Sequence, residues 1–247
     1  MGFDKGKFLQ LFKVKKPIMA MVHLKGGSDE EKLAIAKREI DQYAKNGVDA
    51  VIIENYFGNS DHVEEVLKYM RTERKEMIYG VNVLNDDASA FELANKYDAC
   101  FIQLDSVAGH LTPEDDVAFH DFIVRMRKET QAFVLGGVRF KYQPYLSGRS
   151  LEEDLQIGMT RCDAIVVTGE GTGMVTDLEK IAKFRSIMGN DFPLIVGAGV
   201  TAENAKLQLD VADAAIVGSY LKDTHKDDGD VCEEHVQKFM AEIEKLR

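Results

Sequence analysis

Short apolar, β-branched runs recur eight times along the chain, separated by longer stretches in which apolar side chains return every three or four residues. The runs fall at 17–23, 49–54, 78–84, 99–104, 132–138, 163–168, 193–197 and 214–218. They are mostly continuous rather than alternating, which predicts strands buried on both faces. Between them, Leu33, Ala36, Ile40 and Tyr43 form one helical face, and Val236, Phe239, Met240 and Ile243 form another. The order strand, helix, strand predicts a parallel sheet, and eight such units predict a closed α/β barrel with its helices outside. Ser28-x-x-Glu31 and Ser150-x-x-Glu153 read as capping boxes that start helices. The competing fold is an open doubly wound sheet, which normally carries its glycine-rich phosphate turn after the first strand. Here that strand ends Met21-Val-His-Leu24, with glycines only at Gly26 and Gly27.

Composition narrows the picture. A chain of 247 residues, 45% apolar, suits one large core, so residues 1–247 are expected to form a single (β/α)8 TIM-barrel domain. Residues 1–16 carry Phe3, Phe8, Leu9, Leu11 and Phe12 among lysines, a segment suited to plug the bottom of the barrel or to contact another subunit. The 31 basic residues against 42 acidic ones leave a net charge of −11. With no basic stripe, nucleic acid and anionic membrane are poor partners. Cys100, Cys162 and Cys232 are scattered, which indicates neither a disulfide framework nor a zinc site. No apolar stretch approaches the roughly 18 residues of a membrane span, and no signal-peptide core is evident. A cytoplasmic location is expected, with no membrane insertion.

In such barrels chemistry sits at the C-terminal ends of the strands. Those ends supply His23; Glu54 and Asn55; Asn82, followed by Asn85, Asp86 and Asp87; Gln103 and Asp105; Arg139, Lys141 and Tyr142; and Thr168-Gly-Glu-Gly-Thr-Gly173. Glu54 and Glu170 are the candidate general bases, because a covered carboxylate has its pKa raised toward neutrality. Lys141 and Lys222 are candidates to neutralise an anion, and a desolvated Lys141 also suits a Schiff base. His23 is a candidate proton shuttle. Each has a plain alternative as a structural or solvated group.

The last two units end in Gly197-Ala-Gly199, shortly before Thr201 as a candidate helix N-cap, and in Gly218-Ser219. Their N–H groups suit a phosphate. No motif for a metal or another cofactor is present, although magnesium held by a carboxylate such as Glu54, Asp86, Asp105 or Glu170 plus phosphate oxygens would leave little trace in a sequence.

The segments Pro17-Ile-Met-Ala-Met-Val-His-Leu24, Gly47-Val-Asp-Ala-Val-Ile-Ile-Glu-Asn55, Gly80-Val-Asn-Val-Leu84, Ile165-Val-Val-Thr-Gly-Glu-Gly-Thr-Gly173, Val196-Gly-Ala-Gly-Val-Thr-Ala-Glu-Asn204 and Ile216-Val-Gly-Ser-Tyr-Leu-Lys222, in this order, resemble the BtpA/SgcQ family. The resemblance implies a TIM barrel of the phosphate-binding type. It carries site roles to His23, Glu54, Asn55, Asn82, Asp86, Lys141, Thr168, Glu170, Thr172, Gly197, Gly199, Asn204, Gly218 and Lys222. Departures from the family pattern fall at Asn85, at Gln103-Leu-Asp105 and at Gly137-Val-Arg-Phe-Lys-Tyr142, so the chain resembles a divergent branch.

Two functions follow as expectations. One is an enzyme performing acid/base chemistry on a small phosphorylated metabolite such as a sugar phosphate, as isomerase, epimerase, lyase or hydrolase. The catalytic set would be Glu54, Glu170, Lys141, His23 and Asn82. Gly197, Gly199, Gly218 and Ser219 would bind phosphate, with Asn55, Asp86, Gln103, Thr168, Thr172, Asn204 and Lys222 around the rest of the ligand. The other is a non-catalytic assembly or ligand-sensing protein, as the link of some relatives with photosystem I biogenesis implies. A homo-oligomer is expected in either case.

Overall fold

The computed structural model describes residues 7–247. Eight parallel strands, β1 (Ile18–Val22), β2 (Ala50–Glu54), β3 (Ile78–Asn82), β4 (Phe101–Ala108), β5 (Phe133–Val138), β6 (Ala164–Val167), β7 (Leu194–Val196) and β8 (Ala214–Val217), pair in sequence order, and β8 returns to β1. The helices α1 (Asp29–Lys45), α2 (Ser60–Glu73), α3 (Asp87–Tyr97), α4 (Pro113–Glu129), α5 (Leu151–Arg161), α6 (Leu178–Met188), α7 (Ala205–Leu209) and α8 (Glu233–Glu244) follow their strands in turn. This is the closed (β/α)8 barrel that the eight runs predict, and every run contains or overlaps its strand.

Successive side chains on a strand point to opposite faces, so closure sorts the apolar residues into two separate cores. Met19, Met21, Ala50, Ile52, Phe101, Leu135, Ala164, Val166, Ile195, Ala214 and Ile216 fill the interior. Their neighbours, among them Ala20, Val51, Val81, Ile102, Ile165 and Ala215, face the helices. Gly80 is required by this filling, since a Cβ there would stand 2.2 Å from the Phe101 ring. The predicted faces of α1 and α8 pack as expected: Ala36, Ile40, Tyr43, Val236, Phe239, Met240 and Ile243 are all buried between helix and sheet.

The Ser150 capping box forms reciprocally with Glu153. At α1, Ser28 accepts from the Glu31 N–H, but Glu31 reaches back one residue further, to the N–H of Gly27. A second box not foreseen from the sequence, Asn59 with His62, starts α2.

The expected role of the N-terminal extension falls partly on Phe3, which lies outside the described residues. Phe8 and Phe12 lie within them and join the interior core. The Phe8 ring meets Phe12, Phe101 and Phe133 edge-on, at 5.6, 5.8 and 5.9 Å between centroids. Phe101 and Phe133 open their strands, so Phe8 closes the end of the barrel opposite the strand C-termini.

Phe8→Ala removes a fully buried ring at an edge-on aromatic cluster. We expect a loss of about 3 kcal/mol or more, a fall in Tm of roughly 6–12 °C for a chain of this size. A Tm within 2 °C of wild type by calorimetry would show that the segment is a loose appendage.

Candidate functional site

The inward rows of the strands change character at their C-terminal ends. Continuing the interior spacing of two brings His23 after Met21, Glu54 after Ile52, Asn82 after Gly80, Gln103 after Phe101, Gly197 after Ile195 and Gly218 after Ile216. A cavity of about 520 Å³ opens above them. It is lined by His23, Glu54, Gln103, Asp105, Lys141, Thr172, Gly197, Gly199, Gly218 and Ser219, with Tyr56, Tyr142, Tyr220 and His225 around the rim.

On one side the backbone turns after β7 and β8 form the wall. Gly199 has φ +66, and a Cβ there would come within 2.2 Å of the Met174 carbonyl. The loop after β6 therefore lies directly on this turn, and only glycine fits beneath it. Asn204 pins the turn: its side chain accepts from the Thr201 N–H at 2.8 Å and donates to the Gly199 carbonyl at 2.9 Å. Thr201 is not the N-cap of α7, as the sequence suggests, because α7 begins at Ala205 and Thr201 closes a turn with Asn204 instead.

The opposite wall holds acids. The Asn82 amide donates to Glu54 Oε1 at 2.9 Å and to Asp105 Oδ1 at 3.2 Å. Burial, and then the charge of Asp105, push the Glu54 carboxyl up to about 8. Burial also raises Asp105, and burial followed by the charge of Asp105 lifts Asp87 to about 6. Asp105 continues the inward row of β4 after Phe101 and Gln103, at the point where the pairing of β4 with β5 shifts register between Leu104 and Ala108. Burial, reinforced by the Lys222 ammonium, lowers His23 to about 4 and keeps it neutral.

Lys141 lies between the two walls. Its ammonium donates to Thr172 Oγ1 at 3.2 Å, and among the described residues no carboxylate pairs with it. Thr172 also donates its N–H to Tyr142 Oη at 2.8 Å. The loops after β5 and β6 thus meet over the cavity. Leu24, Asn85, Arg139, Tyr142 and His225, all in loops at this end, have positive φ, the kind of strain that gathers where side chains are held for a purpose.

A sequence model of the BtpA family matches residues 14–245. The chain belongs to the BtpA family. An uncharacterised protein of Pyrococcus abyssi is 29% identical over 94% of this chain and 97% of its own length. The photosystem I biogenesis protein BtpA of Synechocystis sp. is 26% identical over 86% and 83%. Among solved structures, 3-keto-L-gulonate-6-phosphate decarboxylase from Vibrio cholerae matches with a TM-score of 0.63 at 13% identity, covering 95% of this chain and 100% of its own. Thiamine phosphate pyrophosphorylase from Pyrococcus furiosus matches at 0.62 and 15% identity, covering 94% and 96%. At these identities the likeness concerns the fold.

Several residues that the family resemblance carried forward do not reach the cavity of this BtpA-family barrel. Lys222 is fully buried in an ion pair with Glu39 of α1 at 2.6 Å, because it lies beyond β8, after a 3-10 turn at Ser219–Leu221, and reaches the helix layer. Glu170 is exposed and is not part of the cavity lining. Asp86 caps α3 through the Ser89 N–H, and Asn55, one residue past the inward row, accepts from the Leu84 N–H at 2.7 Å. Thr168 is a support, accepting from the Lys141 N–H at 2.9 Å.

Asp105 was visible as a carboxylate at a strand end, but only as one of four carboxylates considered for magnesium and not as an acid or base. Tyr56 and His225 had no sequence signal beyond their loops. Among the described residues no group of three or more His, Cys, Asp and Glu side chains is arranged to hold a metal ion. Of the four carboxylates considered for magnesium, Asp86 and Glu170 lie outside the cavity lining, whereas Glu54 and Asp105 are part of it.

Two of the shifted groups, Glu54 and His23, act on stability with opposite signs. Glu54 holds its proton in the fold above the pKa of the unfolded chain, so it destabilises progressively as pH rises from about 4.5 to about 8. His23 refuses a proton between about 4 and 6.5, so its contribution instead makes stability rise with pH there. Above pH 6.5 only Glu54 remains. Glu54→Gln, which mimics the protonated acid, should therefore gain in Tm relative to wild type from pH 6.5 to 8.5. A constant difference across that range in parallel thermal melts would show that Glu54 is already ionised.

Proposed function

We propose that this BtpA-family barrel is an enzyme that binds a small phosphorylated metabolite, of the sugar phosphate class, and works on it by acid/base chemistry. The observation that carries this reading is the polarity of the cavity: glycine-turn backbone on one wall, acids on the other, and a lysine without a carboxylate partner between them. The turns after β7 and β8 present N–H groups to the phosphate, the arrangement used at this end of phosphate-binding barrels. Lys141 neutralises the anion or stabilises charge developing on an oxygen, and Glu54 exchanges a proton with the ligand. The fold shared with the decarboxylase and pyrophosphorylase, both named for phosphate-bearing compounds, supports the reading.

A second reading has its own observation. Tyr142, Tyr145, Leu146, Met174, Val175 and Leu178 are exposed on or beside the loops after β5 and β6. Such a patch suits a protein partner or a second copy of the chain, and BtpA of Synechocystis sp. is named a photosystem I biogenesis protein. Among the described residues, no helix is long and apolar enough to cross a membrane.

Thermal shifts against inorganic phosphate, aldose and ketose phosphates and nucleotides separate the two readings. A sugar phosphate at about 100 times its Kd adds about 2.7 kcal/mol, a rise of roughly 5–11 °C. The rise should shrink by more than half in Lys141→Met. No shift with any anion, with Tyr142→Ser and Met174→Ser altering oligomer size or partner capture, would favour the assembly reading.

A further inference from the structure

The hydrogen positions around Glu54 follow from geometry together with the neutrality of the His23 ring. His23 Nδ1 stands 3.2 Å from the Asp227 carbonyl oxygen, which can only accept, so Nδ1 carries a hydrogen. The ring is buried, with the ammonium groups of Lys222 and Lys141 nearby, and is neutral. Its other nitrogen, Nε2, therefore presents a lone pair, and it faces Glu54 Oε2 at 3.6 Å. Two bare acceptors so placed in a dry site repel each other, whereas a proton on Oε2 turns the contact attractive. Oε1 is already taken by the Asn82 amide.

The second hydrogen of that amide goes to Asp105, which opens onto the cavity and has the Lys141 charge in reach. One asparagine thus joins two carboxyl groups whose surroundings differ, Glu54 facing His23 Nε2 and Asp105 having Asp87 beyond it, the kind of asymmetry that separates acid from base within a site. Gln103 adds a constraint: its Oε1 is buried without a partner in the cavity wall, an acceptor left for a ligand hydroxyl.

We propose that Asp105 is the base and Glu54 the acid of this site, and that the ligand is an aldose or ketose phosphate whose carbonyl and adjacent hydroxyl meet them. The inference rests on the sugar phosphate reading above. Asp105 takes the proton from the carbon next to the carbonyl, while Glu54 gives its proton to the carbonyl oxygen, which leaves a neutral enediol. Glu54 then takes the proton of the neighbouring hydroxyl as Asp105 returns its proton to the former carbonyl carbon. Protons balance over the cycle, and nothing is oxidised overall. Lys141 offsets the negative charge of the acid pair throughout, and the His23 Nε2 lone pair faces the Glu54 proton between turnovers.

The groups facing this pair are His23, Asn82 and Lys141, with Asp87 beyond Asp105 and Asp227 and Lys222 beyond His23. The test incubates the full chain in D2O with ribose 5-phosphate, glucose 6-phosphate or fructose 6-phosphate and follows deuterium entry beside the carbonyl by NMR. Wild type should exchange, with a rate that rises as Asp105 ionises and falls again near pH 8 as Glu54 loses its proton. Asp105→Asn should lower the rate by about 100-fold or more while keeping the thermal shift given by inorganic phosphate.

Nitrogen NMR of His23 in wild type supplies a readout free of substrate and of folding defects. A bare Nε2 with protonated Nδ1 at pH 7 is expected, and an imidazolium or the opposite tautomer overturns the assignment. Phosphate binding without exchange, or exchange undiminished in Asp105→Asn, overturns this inference alone. Absence of any phosphate-dependent shift overturns the function on which it rests.

Discussion

Eight parallel strands closed into a barrel leave each strand one inward row of side chains, and everything at the site depends on that row. Because the pleat repeats every two residues, Met19, Met21 and His23 share a direction, as do Ala50, Ile52 and Glu54. The lower positions are apolar and fill the interior, closed below by Phe8. The last ones are polar and have nowhere to go but the mouth. Burial and function are thus coupled: the same closure that excludes water from the core brings Glu54, Asn82 and His23 into a space where a carboxyl group keeps its proton at neutral pH.

The two walls of the cavity are built by different means. The acid wall is a side-chain construction, in which the Asn82 amide joins Glu54 to Asp105 at the end of the inward row Phe101, Gln103, Asp105. The anion wall is a backbone construction, in which Gly199 lets the loop after β6 lie against the turn after β7 and Asn204 locks that turn from behind. Lys141 and Thr172 bridge the loops over the gap. Elsewhere, charges are spent on holding the frame: Lys222 on Glu39, Arg161 on Asp116, Arg127 on Asp163. Buried pairs of this kind are poorly replaced one partner at a time. They explain why a lysine at a strand end need not face the ligand.

Much of this was legible in the chain itself. Eight apolar runs, helical faces at three- and four-residue spacing and glycines closing the last two units are local patterns, and local periodicity is what determined the barrel and its strand ends. The inward positions of His23, Glu54 and Gln103 follow from counting in twos along each run. What only the tertiary structure decided is pairing. No spacing in the sequence says that Lys222 meets Glu39 of α1, 183 residues earlier, or that Glu170 turns to solvent while Asp105 is brought beside Asn82. Those outcomes depend on strand stagger and on loop crossings between distant segments. Sequence periodicity fixes which face a side chain takes; only closure of the barrel decides what it meets there.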